Sequence, residues 1–167
     1  MKQLNHYNTN FTSKQFPITI VCDNITNAPN IGSLFRTADA FGVELLQFCG
    51  SPIPLGRKMT KTSRATEKIV KYQFNDDILE TISELKAKGY QIIALEITSE
   101  SKAINTYQFS ATQPIALIVG DENFGVSEAI LNASDAVIHI NMFGQNSSMN
   151  VVQATTIALY EITKQLQ

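Results

Sequence analysis

The chain has 167 residues, 44% of them hydrophobic and 17% charged, with a formal net charge of −2. That length suits one domain with a real core, and that mixture excludes both a disordered chain and a generally basic nucleic-acid binder. No apolar run approaches the roughly 18–20 residues that span a bilayer.

Residues 1–16, MKQLNHYNTNFTSKQF, read as a polar N-terminal arm. They lack the continuous apolar stretch of a secretory signal. From 17 to 167 strands and helices alternate in one domain. PITIVC (17–22) reads as a buried strand ended by Asp23. Ile31 to Phe41 reads as a helix, with apolar residues at 31, 34, 35, 38 and 41, Asn30 as N-cap and Gly42 as the stop. VELLQF (43–48) is the next strand. DDILETISELKAKG (76–89) is an amphipathic helix, with acids first and lysines last as the helix dipole prefers. YQIIALEI (90–97), PIALIVG (114–120) and AVIHI (136–140) are further strands, and about 148–167 is helical. The alternation implies an α/β fold, a mostly parallel sheet with helices on both faces. Ligands of such sheets sit at the carboxyl ends of the strands.

Cys22 and Cys49 are too few for a disulfide scaffold, so a reducing, cytoplasmic setting is expected. No Cys/His spacing suggests zinc. Neither a G-x-x-x-x-G-K-[ST] loop nor a G-x-G-x-x-G turn follows a strand, and there is no G-x-S-x-G elbow. His6 and His139 have no obvious nucleophile beside them; hydrogen bonding at a strand end accounts for His139.

Three polar, glycine-containing segments leave strand ends. The first is Asn30-Ile-Gly-Ser-Leu-Phe-Arg36-Thr-Ala-Asp-Ala-Phe-Gly42. Alone it is a capped helix whose Arg36 pairs with Asp39. The second is Val119-Gly-Asp-Glu122-Asn-Phe-Gly125-Val-Ser127, alone a glycine turn with Ser127 capping a short helix. The third, Asn141-Met-Phe-Gly144-Gln-Asn-Ser-Ser148-Met-Asn150, runs into VVQATTIALYE and is alone another turn and cap. Three such loops at strand ends of one small domain point to function.

Together, and in this order, they resemble the three motifs of the SpoU/TrmH family of RNA ribose 2′-O-methyltransferases, in the SPOUT superfamily. The first is similar to N-x-G-x-x-x-R-x-x-x-x-F-G, the second to V-G-x-E-x-x-G-[VLI]-S, and the third to I-P-M-x-G-x-x-x-S-L-N-V. The resemblance covers roughly residues 17–165. Asn141 stands where proline is usual and Met149 where leucine is usual. The resemblance implies S-adenosylmethionine as cofactor, held in a deep trefoil knot from about Ile115 onward, and a homodimer with the active site at the subunit interface. The three loops carry no clustered carboxylates for magnesium, so no metal is expected. Asn30, Arg36, Glu122, Ser148 and Asn150 match the family's catalytic positions. Gly120, Asp121, Glu122, Gly125, Ile140, Met142, Gly144, Ser148 and Met149 match its cofactor loops.

The residue types suit the chemistry. A ribose hydroxyl is a poor nucleophile until its proton starts to leave. Arg36 is the base, or it grips the neighbouring phosphate and stabilises the oxyanion. Asn30 orients Arg36 or the ribose, and Glu122 orients a dimer-mate or substrate group. Ser148 and Asn150, at a helix N-terminus, suit an anionic substrate group.

The remaining signal is charge. Arg57, Lys58, Lys61, Arg64, Lys68 and Lys71 are opposed only by Glu67, a net +5 against −7 for the rest. Residues 57, 61, 64, 68 and 71 fall on one face if the segment is helical. Such a face is either solvated or a phosphate contact, in which case Arg57, Lys58, Lys61 and Arg64 join Arg36 in gripping RNA. The expected activity is 2′-O-methylation of structured RNA, tRNA first and rRNA second. The competing readings are base methylation on the same fold and a non-catalytic RNA-binding module.

Overall fold

The computed structural model describes residues 1, 3, 4 and 8–167; His6 lies outside them. Seven strands form one sheet: β1 (Phe16–Asp23), β2 (Val43–Cys49), β3 (Tyr72–Asn75), β4 (Gln91–Leu95), β5 (Lys102–Ala103), β6 (Ile115–Val119) and β7 (Ala136–His139). Their spatial order is β3-β2-β1-β6-β4-β7-β5, and each pairing is parallel. β1 and β6 lie inside the sheet, covered on both faces. That is why they read as continuous apolar runs rather than alternating ones.

Alternate residues of these strands feed two cores. Ile18, Ile20, Cys22, Ile115, Leu117 and Val119 face α1 (Ala28–Ala40), α2 (Arg57–Ser63) and α5 (Val151–Gln165). Val21, Ala116, Ile118, Ile92 and Ala94 face α3 (Ile78–Ala87) and α4 (Glu128–Ala133). Among the described residues no helix is long and apolar enough to cross a membrane.

Several local expectations change. The cap of α1 is Asn27, not Asn30: the Asn27 side chain accepts from Asn30 N at 3.1 Å, and the helix starts at Ala28 with Pro29 in its first turn. Proline is pre-set for that position and needs no donor, so it extends the helix backwards. Asn30 is thereby a first-turn residue. Ser127 does occupy the cap of α4, but its side chain makes no cap hydrogen bond. α5 begins at Val151 behind Asn150, three residues later than the pattern suggests.

The basic stretch 57–71 is not one helical face. α2 stops at Ser63, where Arg64 and Ala65 take left-handed backbone angles (φ 51° and 71°), and a 3-10 turn, Thr66–Lys68, follows. Two consecutive non-glycine residues at positive φ end the helix outright. α2 packs closely on α1 at Gly32, where a Cβ would collide with the Thr62 hydroxyl and the Met59 carbonyl. The motif glycine is a packing requirement between these two helices.

Candidate active site

A cavity of about 550 Å³ opens at the carboxyl ends of β4, β6 and β7. It is lined by residues 95–98, 119–126, 139–140 and 147–149, with Leu131, Met142, Val151 and Ala154. The strand order reverses here, because β6 inserts between β1 and β4. A crevice at such a switch point is where open parallel sheets hold ligands.

The 120–126 loop is shaped by its own hydrogen bonds. Asp121 Oδ1 accepts from Asn123 N (2.8 Å) and Phe124 N (3.1 Å), and the Asp121 carbonyl accepts from Gly125 N (2.8 Å). Gly120 and Gly125 are pressed together, so a Cβ on Gly120 would strike the Gly125 backbone. Glu96 fastens the far end: its Oε2 accepts from Val126 N at 3.0 Å and its Oε1 from Ile97 N at 2.9 Å. Glu122 is left free to reach outward.

What it reaches is Asn30. Asn30 Nδ2 donates to Glu122 Oε1 in a short contact, and Asn150 Nδ2 donates to Asn30 Oδ1 at 3.1 Å. Asn150 Oδ1 caps α5 by accepting from Val152 N at 2.9 Å. The direction of every bond follows. A backbone N–H can only donate, so Asn150 turns its oxygen inward and offers its nitrogen to Asn30; Asn30 then turns its nitrogen to the carboxylate. One residue from each of the three loops thus meets in a single hydrogen-bonded chain.

Arg36 lies six residues further along α1, about 9 Å along the axis from Asn30. It is exposed, and it is not paired with Asp39. The ion pairs among the described residues are Lys86–Asp135 and Lys164–Glu161. Its guanidinium is therefore available to an anion. Its neighbour Thr37 is buried against α5, with Thr37 Oγ1 at 3.3 Å from Thr156 Oγ1. Arg57, Lys58, Lys61 and Arg64, on α2 and at its end, also have no acidic partner among the described residues.

Gly120, Asp121, Glu122, Gly125, Ile140, Met142, Ser148 and Met149 all line the cavity; Gly144 does not, and a Cβ there would meet open space. Asn30, Arg36 and Asn150 stand outside the lining. Glu96 and His139 were not singled out as cavity residues by the sequence. Glu96 closes a strand, where a polar residue is unremarked, and its backbone partner is 30 residues away. His139 holds Ser101 Oγ with Nδ1 (2.9 Å) and Asn141 Oδ1 with Nε2 (3.2 Å), so it is the satisfied strand-end histidine expected, seated on the cavity wall. Asn141, at the position where a proline is usual, is held by this contact. Among the described residues no group of three or more His, Cys, Asp or Glu is placed to hold a metal ion.

A second small cleft, between Asp23 and Asp121, adjoins the first. Burial raises the Asp23 carboxyl above its ordinary range, a hydrogen bond from Asn24 Nδ2 (3.0 Å) opposes this, and the charge of Asp121 adds to the rise.

Comparison with known proteins identifies a family. The model of the SpoU rRNA Methylase family matches residues 17–160. A tRNA (guanosine(18)-2′-O)-methyltransferase of Aquifex aeolicus is 31% identical over 164 residues, 98% of this chain and 77% of that protein. A 23S rRNA (uridine(2479)-2′-O)-methyltransferase of Streptomyces viridochromogenes is 29% identical over 150 residues, 87% of this chain and 52% of that one. The crystal structure of the A. aeolicus TrmH/SpoU tRNA modifying enzyme superimposes with a TM-score of 0.82 at 31% identity, covering 92% of this chain and 77% of the other. The methyltransferase AviRb of S. viridochromogenes, in complex with the cofactor AdoMet, superimposes at 0.79 with 24% identity, covering 92% and 62%.

Proposed function

The chain belongs to the SpoU methylase family, and from that premise we propose that it transfers a methyl group from S-adenosylmethionine to a ribose 2′-hydroxyl of structured RNA, tRNA first and rRNA second. The observation that carries this reading is the chain Asn150–Asn30–Glu122, which ties all three loops together beside the cavity. The relatives support it, since they are named as tRNA and rRNA 2′-O-methyltransferases.

The cavity suits the cofactor. Its volume falls inside the roughly 300–1,000 Å³ of small-molecule sites. Leu95, Ile97, Ile140, Met142 and Met149 offer apolar surface, and the Gly120–Gly125 turn offers close backbone approach. When bound, the cofactor supplies an electrophilic methyl on a sulfonium. The protein's part is alignment and handling of charge. Arg36 binds the phosphate beside the target ribose with its fork of donors and stabilises the oxygen as its proton leaves, or takes that proton itself. Asn30, held at both ends, fixes Glu122 and Asn150 so that they meet the substrate in one geometry. Ser148, exposed at the cavity mouth, offers a hydroxyl to the RNA or cofactor.

The same reading includes a homodimer. α5 carries an outward stripe of Gln153, Ile157 and Tyr160, the last two 41% and 63% exposed, and meets α1 through Thr156 and Thr37, the neighbour of Arg36. A second copy covering that stripe would form the shared active site that the family resemblance implies. It also includes a trefoil knot from about Ile115 onward, residues 1–16 as an arm before the domain at 17–167, and a reducing cytoplasm that suits two buried free thiols. No metal takes part.

Nucleoside mass spectrometry, after incubation with S-adenosylmethionine and bulk tRNA or rRNA, tests the reaction. A 2′-O-methylnucleoside is the expected product. A base-methylated nucleoside points to the sister chemistry, and no product points to a binding module.

A further inference from the structure

The open edge of the sheet carries an aromatic surface that the methyl-transfer site does not use. β3 is the outermost strand on its side. Its Tyr72 and Phe74 are 36% and 52% exposed, and Ile69 just before it is 72% exposed. Tyr72 and Phe74 stand edge-to-face with centroids 5.6 Å apart. They are held from behind by Phe35 and Phe48, at 5.2 Å from Tyr72 and 6.1 Å from Phe74. The rings are thus packed on one another and on the core, and partly bare.

Their position relates to the cavity through the sheet register. Phe74 pairs with Phe48, Phe48 with Cys22 and Cys22 with Val119, which lines the cavity. Residues paired across a parallel sheet point to the same face, so Phe74 lies on the cavity's face and at its end of the sheet. Three inter-strand spacings separate them, on the order of 14 Å. α1, with exposed Arg36, covers the ground between.

The surroundings are cationic on the side of Tyr72, while Asp76 and Asp77 follow Phe74. Lys68 and Lys71 flank Ile69 and Tyr72, and Arg64 precedes them; none forms an ion pair among the described residues, though the charge of Lys68 acts on its neighbour Glu67. Glu67, the one acid in the stretch, is engaged by the Ser63 hydroxyl. Fixed aromatic rings beside unpaired cations match an unpaired nucleotide, which offers a π-face to the ring and a phosphate to the lysines. An acidic protein surface would answer the charge alone, but a nucleotide answers both the charge and the bare ring faces.

We infer that Phe74 and Tyr72 form a stacking platform for an unpaired base of the RNA substrate, with Lys68 and Lys71 on the adjoining phosphates. This rests on the RNA-methylating reading above, and it places a flanking loop nucleotide, not the methylated one, on β3.

Binding of bulk tRNA by the full chain, measured between 50 and 200 mM salt, tests it. Phe74→Ala weakens binding roughly tenfold at every salt concentration and leaves the salt slope unchanged, as loss of one base stack does. Phe74→Trp restores affinity. Phe74→Leu, which keeps the contact with Phe48 but lacks a π-face, loses affinity like alanine and guards against a folding artefact. Lys68→Ala with Lys71→Ala does the opposite and flattens the slope by about two. Cofactor affinity stays constant throughout. Wild-type RNA affinity in both Phe74→Ala and Phe74→Leu overturns the platform. So does a change of oligomeric mass in Phe74→Ala with RNA affinity intact, which would assign the patch to a second copy. If the parent chain methylates RNA while these variants bind normally, the platform alone fails; if the parent neither binds nor methylates RNA, the functional reading fails with it.

Discussion

The side-chain amides of Asn30 and Asn150 meet at 3.1 Å, joining the first turn of α1 to the cap of α5 across 120 residues of chain. Asn150 is already committed to Val152 N, and Asn30 to Glu122. Neither amide can turn without breaking two bonds. Asn30→Ala frees Glu122 and leaves Asn150 held only by its bond from Val152 N, and methyl transfer falls about a hundredfold, the order expected when a catalytic group shifts by an ångström. Asn30 does not line the cavity, so cofactor affinity is kept. Single-turnover rates, with calorimetry of cofactor binding, check both halves.

Chemistry and grip separate in a second comparison. Arg36→Ala lowers methyl transfer by roughly two to four decades, as removal of a base or oxyanion donor does. Replacing Lys58, Lys61 and Arg64 together by alanine instead weakens RNA binding and flattens its salt dependence, while turnover at saturating RNA survives. Steady-state kinetics of both proteins at two salt concentrations read the difference.

The parts of the fold that rest on a period were legible. β1 and β6 are buried on both faces and announce themselves as apolar runs, and α3 shows its acid-to-lysine polarity. The parts that rest on short or broken elements were not. β3 has four residues and β5 two, and the basic run looks like a helix because Arg64 and Ala65 carry no sign of their left-handed backbone. The site divides in the same way. Motif residues identify the loops, but the hydrogen bond that joins Asn30 to Glu122 spans 92 residues, a relation no local pattern contains. Glu96 carries no local signature for the same reason, since its work is to accept a backbone N–H from another loop.

Gly32 tests the packing that sets the first loop. A methyl there meets the Thr62 hydroxyl and the Met59 backbone, and the backbone cannot swing away. Gly32→Ala therefore costs about 1–3 kcal/mol, typical of overpacking, and lowers the melting temperature on the order of 5 °C. Thermal denaturation by circular dichroism measures it.

Asp23 gives a pH dependence with a definite sign. Burial raises its carboxyl in the folded protein, so the fold favours the protonated form. Stability is thus present at low pH and falls as pH rises from the ordinary aspartate range through the raised value. Asp23→Asn keeps an oxygen for Asn24 and removes the charge. It stabilises the protein at pH 7, and the gain vanishes near about pH 3.5, where the unfolded chain also holds the proton. Melting curves at the two pH values decide it.

The central claim is that the acceptor is the ribose 2′-oxygen, and alkaline hydrolysis tests it most directly. Alkali cuts RNA through attack by the 2′-oxygen, so a methylated ribose protects the bond that follows it. RNA labelled by the enzyme from S-adenosylmethionine carrying an isotopic methyl should yield its label in alkali-stable dinucleotides. Recovery of the label in mononucleotides would contradict the account, because the methyl would then sit on a base.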